Sequence, residues 1–543
     1  DLLIGKLAYD SGFFQFNKIP DAMEWAVNNG ADVVNISAGT RPSGSYKNSL
    51  TEISEGVYYS NMTFGDYNTL GYNQIFSTNG HGTAMIESMK GHETVMVLAS
   101  GNDRLKVSSQ ESHIALDSEI GDRVLVVGMY DERRKGLSKW SNAAGTICRE
   151  LDGDGTCKSD ALISDRYIIA PGVYIAAPTN NGEYTTMTGT SMAAPHVAGA
   201  VAIVHQMWPH MTGANVSQLL LNTASTDEIN NYDPNVHGQG MLDLDEATQP
   251  QGAMGLATTG RIDGATVDLA NSGAIAMSGN TNISALSSIM AVDEYDRDYY
   301  FDANGMVNTI DTRTASATLA GQHGFAPDYY IGYNGGSIIP VSNAGTHIAL
   351  NDTNGNVSIV QQWDKFSMGL VNESESFLGN YANSELMKVD GSNTAYVGFT
   401  DSIDFNNGIN MWGSATLGAT RLNVDNSSML KSADIMMSNS ATLGIKQTVD
   451  NETFGFVASL PVSITSGNAN FSIPTSVSST GDISNTNMNS SLEMDNRELD
   501  LGLFYINTLT ESTSFTANIE LRNNYSGTSD NHVTAGLTYK VTF

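Results

Sequence analysis

Near residue 255 the hydrophobic pattern of this chain changes period, and no single layer of secondary structure serves both sides of the change. Up to about residue 250, helical patterns alternate with short apolar runs, the pattern of βαβ units around a mainly parallel sheet. Ile19 to Asn29 has helical spacing, Gly30 stops it, and Ala31 to Ser37 reads as a buried strand. The same order recurs at Ala84 to Lys90 and Thr94 to Ser100, with further strands expected at Val124 to Met129, Tyr167 to Ala170 and Tyr174 to Ala177. Ser191 to Trp208 is apolar almost all round, as a helix in the middle of a domain would be. Beyond residue 255 the period is two. Val533, Ala535, Leu537, Tyr539, Val541 and Phe543 share one face of a strand, and Thr534, Gly536, Thr538, Lys540 and Thr542 share the other. Phe515 to Arg522, Leu499 to Tyr505 and Phe454 to Leu460 repeat the alternation, and the Ser/Asn/Thr-rich segment Ser476 to Asn496 reads as a long mobile loop. The sequence therefore predicts an α/β domain over 1–254 and an all-β antiparallel domain over 255–543.

Charge narrows the partners. Lys+Arg 26 against Asp+Glu 58 leaves a net charge of −32, which repels phosphate backbones and excludes nucleic acid as a partner. No run of eighteen apolar residues occurs, so a transmembrane helix is excluded, whereas insertion by β-strands is not. Cys148 and Cys157 flank a Gly/Asp-rich turn at a separation that a disulfide can close in an oxidising compartment, two buried thiols being the alternative. Between them Asp152-Gly153-Asp154-Gly155 places carboxylates two apart; a solvated turn is the first reading and a Ca²⁺ site the second, with no other cofactor expected. The chain opens on Asp1 without an initiator Met, and the reading is that an upstream part has been removed.

Gly189-Thr190-Ser191-Met192-Ala193-Ala194-Pro195 sets a serine after a glycine turn at the mouth of the buried helix. A helix N-terminus directs free N–H groups and partial positive charge at that point, which suits the oxyanion formed when a serine attacks a carbonyl. A serine that merely caps the helix is the plain alternative. The whole segment GTSMAAPHVAGAVAIVHQMWP, however, resembles the serine motif of the subtilisin-like peptidases, and other segments match that family in order: NNGADVVNISAGTRPSGS, VMVLASGN, Trp140 to Gly145, Ile169 to Gly172 and Gly238 to Gly252. The resemblance covers about 250 residues and is nearest to the autotransported subtilases. It implies a serine endopeptidase with Ser191 as nucleophile, Asn102 and the Ser191 amide as oxyanion donors, and a peptide groove lined by Ser37, Ala38, Gly39, Ser100 and Gly101.

The family also needs an aspartate and a histidine ahead of the serine. Asp10-Ser11-Gly12 and His81-Gly82-Thr83 look like those motifs, but both are read as decoys. In the family the helix and strand seen here at Ile19 to Gly39 follow the histidine motif, and the twenty or so residues from His81 to Asn102 are too few for the intervening elements. The true segments are expected upstream of Asp1, or on a separate fragment held noncovalently, with residues 46–83 forming an insertion. His196 reads as a packed helix residue. For the second half, the ending on Phe543, the charges of both signs on one strand face (Asp500, Glu520, Arg522, Lys540) and the ten to twelve strands counted after Asp298 favour an outer-membrane β-barrel over a soluble sandwich. Together these readings describe a secreted or surface-displayed peptidase of a Gram-negative bacterium. The alternative is a subtilase scaffold without turnover, serving as a surface structural or interaction protein.

Overall fold

The computed structural model describes residues 15–39, 50–54, 57–60, 78, 80–106, 108–145, 162–179, 181–277, 283–309, 337–340, 346–351, 356–405, 407–510, 512–525 and 529–541. The chain divides into two units, the first comprising Asp1–Gly252 with Asp293–Arg297 and Ser478–Gly481, the second the remainder.

The first unit is built on parallel strands Val33–Ile36, Val95–Ala99, Val124–Asp131 and Tyr167–Pro171, paired in that order, with the short strand Gly136–Leu137 antiparallel at the side. Helices cover such a sheet on both faces, so its strands are apolar without alternation; every residue of Val95–Ala99 is buried. Helix Ile19–Asn28 starts with Pro20 in its first turn, where a missing N–H costs nothing, and buries Ile19, Met23 and Val27. Gly30, at φ 77°, closes it. Helix His81–Met89 buries Met85 and Met89 and takes in the end of the expected 46–83 insertion. The eighteen-residue helix Thr190–Met207 buries Ala193, Ala194, Val197, Ala200, Val201 and Val204. Tyr167 is fully buried, and its hydroxyl donates to Asn142 O at 2.7 Å. Gly128 makes room for it, since a Cβ there would lie 1.9 Å from that hydroxyl.

In the second unit an antiparallel sheet of eleven strands runs from Ser337–Pro340 to His532–Val541. Its edge strands do not pair with each other among the described residues. Its polarity is reversed from that of a soluble core. Leu417, Leu443, Leu503, Leu521, Val533 and Leu537 are exposed, while Thr394, Thr416, Thr420, Ser438, Ser440, Asp500, Glu520 and Arg522 are buried. Arg522 donates from Nε to Glu520 Oε2 at 3.1 Å on that inner side. Glycines there lie under rings of neighbouring strands: a Cβ on Gly369, Gly444 or Gly455 would come within 2.4 Å of Tyr396, Trp412 or Phe504. The connection between the paired residues Phe405 and Ile409 carries Asn407 and Gly408 at φ 80° and 73°, left-handed angles that asparagine and glycine adopt most readily.

The expected mobile loop Ser476 to Asn496 is instead largely ordered as strand. Asn468–Val477 pairs antiparallel with Ile483–Ser491. Polar side chains do not prevent this, because the ladder is made by main chain; Ala469, Phe471 and Ile473 anchor the hairpin in an apolar core with Leu430 and Leu492, and Thr475 and Thr486 join their hydroxyls across it at 2.9 Å. The expected disulfide pair Cys148 and Cys157 lies outside the described residues.

Candidate active site

Ser191 sits in the first turn of helix Thr190–Met207, which also contains Pro195. A proline four residues on has no N–H to give the Ser191 carbonyl, so the helix leaves that acceptor open. Ser37 fills the gap, its Oγ donating to Ser191 O at 3.1 Å. The bond is answered in the other direction, since Ser191 Oγ donates to Ser37 O at 3.2 Å. Two segments 154 positions apart are thereby clamped together, and the serine hydroxyl lies on the strand end expected to form the groove. Ser37, Ala38 and Gly39 are all half-buried there.

Asn102 approaches the same turn from the end of strand Val95–Ala99. Its Oδ1 accepts from Thr190 N at 2.9 Å and from Thr190 Oγ1 at 3.2 Å, which commits the oxygen to the helix and leaves Nδ2 as the donor of that carboxamide. Thr190 Oγ1 also accepts from Gly101 N at 3.3 Å. Ser100 is fully buried, with its hydroxyl donating to Asn142 O at 3.2 Å.

Asn142, inside the matched segment Trp140 to Gly145 but given no individual role in the sequence reading, holds this loop. It is fully buried. Its Oδ1 accepts from Asp103 N at 2.9 Å and Leu105 N at 3.1 Å, and its Nδ2 donates to Ser100 O at 3.0 Å. Gly101, at φ 106°, is required twice over: the angle favours glycine, and a Cβ would lie 2.5 Å from Asn142 Nδ2. Thr190 and Asn142 are the positioning residues that sequence reasoning missed; the only signal for either was its place inside a matched segment.

His81 does not join the serine. It begins its helix, its Nε2 lies 3.3 Å from Glu111 Oε1, and its ring packs against Phe16 at 5.6 Å. His196 Nδ1 donates to Met192 O of its own helix at 2.8 Å. Among the described residues no histidine is hydrogen-bonded to Ser191. Asp10, and Asp152 and Asp154 of the candidate Ca²⁺ turn, lie outside the described residues; among those described, no group of three or more His, Cys, Asp or Glu side chains is gathered as for a metal.

Comparison with known proteins gives residues 1–245 as a match to the subtilase family, Peptidase S8. Subtilisin DY of Bacillus licheniformis is 28% identical over 244 residues, which span 45% of this chain and 66% of that protein. Serine protease AprX of Bacillus subtilis strain 168 is 30% identical over 164 residues, 29% of this chain and 36% of its own. The chain thus spans under two thirds of the length of either relative. Among solved structures, the prenylagaramide maturation protease PagA is 22% identical, with 43% of this chain and 67% of that one covered at a TM-score of 0.27.

Proposed function

Residues 1–245 form a domain of the subtilase family, and from that premise we propose that the first unit is a serine endopeptidase acting through an acyl-enzyme at Ser191. The observation that carries this reading is the convergence of Ser191, Ser37 and Asn102 on one helix mouth. Ser191 Oγ attacks the peptide carbonyl, a bond forms between Oγ and carbon, and the carbonyl oxygen takes the negative charge. The Ser191 amide and Asn102 Nδ2 receive that oxyanion; one such donor contributes on the order of 3 kcal/mol, a magnitude known from subtilisin itself. The amine then leaves with a proton, and water releases the acyl group. A histidine oriented by an aspartate would take the serine proton in such a mechanism; among the described residues no histidine is bonded to the Ser191 hydroxyl.

A second reading, a scaffold without turnover, draws on the Ser191 hydroxyl being bonded to a backbone carbonyl and to no described histidine. A fluorophosphonate probe separates the two. Stoichiometric labelling of the full chain, abolished by Ser191→Ala, supports the peptidase, and absence of labelling supports the scaffold.

For the second unit the proposal is a membrane-inserted β domain that displays or secretes the peptidase at the outer membrane of a Gram-negative bacterium. Its support is the reversed polarity of the eleven-stranded sheet, aliphatic outward and hydroxyl or charged inward. Heat-modifiable migration in detergent is the expected result; a second unit freely soluble without detergent would remove the proposal.

A further inference from the structure

We propose that Arg104 and Lys139, gathered on the ring of Trp140, form a cationic rim beside Ser191 that selects peptide substrates carrying carboxylate side chains close to the cleaved bond. The inference rests on the serine endopeptidase reading of Ser191. In an open α/β sheet, ligands bind outside the carboxyl ends of the parallel strands. That edge carries Ser37 after Val33–Ile36, Asn102 and Arg104 after Val95–Ala99, Arg133 after Val124–Asp131 and Tyr174 after Tyr167–Pro171. Arg104 lies two residues beyond Asn102, at most about 7 Å of chain. The amides on either side of it, those of Asp103 and Leu105, both donate to Asn142 Oδ1. This tie holds Arg104 at φ 60°, a left-handed angle at which glycine would cost less. An arginine side chain stands there instead.

Its guanidinium carbon lies 3.5 Å from the centre of the Trp140 ring, and Lys139 Nζ lies 5.2 Å from the same ring. Trp140 is 43% exposed, so the cluster stands at the surface. Acids are plentiful in a chain of net charge −32, and neighbouring cations use them: Arg134 pairs with Asp131 and Lys135 with Glu228. Among the described residues, Arg104 and Lys139 have the indole in place of a carboxylate, and Arg133 likewise lies over Tyr174 at 4.6 Å. Tyr174 joins the serine turn through its amide, which donates to Thr188 Oγ1 at 3.0 Å, three residues before Ser191. Two cations on one ring repel each other, and an incoming carboxylate relieves that repulsion. A guanidinium stacked on a ring keeps its N–H edge free for a bidentate pair with the carboxylate, in an orientation the ring already fixes. Repulsion of an acidic peptide by the rest of the chain is screened beyond about 8 Å at physiological ionic strength, so the nearby cations decide the contact.

The test uses the full chain and the rate at which a small alkyl fluorophosphonate labels Ser191, measured against alanine-based octapeptides that carry glutamates, glutamines or lysines at the same positions. The glutamate peptide is expected to halve the labelling rate at a concentration about tenfold or more below that of the glutamine peptide, with the lysine peptide protecting least. In Arg104→Gln combined with Lys139→Gln, the advantage of glutamate over glutamine should fall to within about threefold of unity. If that chain does not fold, Lys139→Gln alone should reduce the advantage by about threefold. Equal protection by the glutamate and glutamine peptides in the native chain, or a glutamate advantage unchanged in the variants, would overturn the rim. Failure of the fluorophosphonate to label the native chain would overturn the nucleophile itself, and with it this inference, so the two failures are told apart.

Discussion

Replacing Asn142 by alanine tests whether the loop bearing Asn102 is held from within. The substitution removes the acceptor of the Asp103 and Leu105 amides and the donor to Ser100 O. Ser100 O keeps the Ser109 amide as a partner, so the loss falls mainly on the two amides that share Oδ1. A buried amide that loses its acceptor costs about 1–3 kcal/mol, which places the total at about 2–6 kcal/mol. That is a large part of the 5–15 kcal/mol that typically holds a domain together. Guanidinium unfolding should show the lowered midpoint. Because Asn102 lies between Gly101 and Asp103, fluorophosphonate labelling of Ser191 should also slow, by tenfold or more. Asn142→Asp keeps Oδ1 for the two amides and should recover part of both effects. An Asn142→Ala chain that loses less than about 0.5 kcal/mol, or one that loses stability while labelling at the native rate, would refute the claim that this side chain positions Asn102.

Burial holds the His113 ring at about 4 against an ordinary 6.5, its Nδ1 donating to Gln110 O at 3.0 Å. As pH falls the unfolded chain takes up the proton first, so the stability tied to the neutral ring is complete above pH 6.5 and is lost progressively toward pH 4, by about 3 kcal/mol; His113→Gln should flatten urea-midpoint profiles over that window. Arg297 and Asp293, both fully buried, pair at 2.6 Å, and Arg297 also donates to Ala247 O and Gln249 O. Arg297→Met alone should cost about 3–5 kcal/mol by stranding the Asp293 charge, and adding Asp293→Asn should return part of it in a double-mutant cycle of thermal unfolding. In the second unit, Gly444→Ala would put a methyl 2.1 Å from the Trp412 ring and should destabilise by about 1–3 kcal/mol in detergent-based unfolding. Leu503, 57% exposed on the outer face, should tolerate lysine in water but lose about 2–4 kcal/mol as lysine in lipid vesicles if that face meets hydrocarbon.

Much of the first unit was legible because its signals are local. The apolar run expected from Val124 to Met129 appears as Val124–Asp131, and the helix expected from Ser191 appears as Thr190–Met207. Each needed only continuous hydrophobicity and a flanking glycine. The positioning of Asn102 was not legible, because Asn142 reaches partners 37 to 42 positions away and Thr190 meets Asn102 across 88; no window of sequence contains those pairs. The hairpin Asn468–Val477 with Ile483–Ser491 was misread for a different reason. Its hydroxyl-rich side chains resemble loop composition, while the pairing is made by backbone that composition does not report. The eleven strands were countable from alternation, but alternation is symmetric: it says that Leu503 and Phe504 face opposite ways, not which way is in.

The local rules broken in the first unit cluster where chemistry is proposed. Pro195 inside a helix and Gly101 at φ 106° would each weaken an ordinary domain. Here each departure is answered by a specific partner: Ser37 takes the carbonyl that Pro195 leaves open, and Asn142 fills the space that a side chain at Gly101 would need. Locally unfavourable choices compensated by distant partners are what a fold keeps at a working site rather than in a core, where plain apolar packing would serve. If Ser191 is the nucleophile proposed above, any histidine that takes its proton must draw the hydroxyl away from Ser37 O, in competition with a bond formed at 3.2 Å.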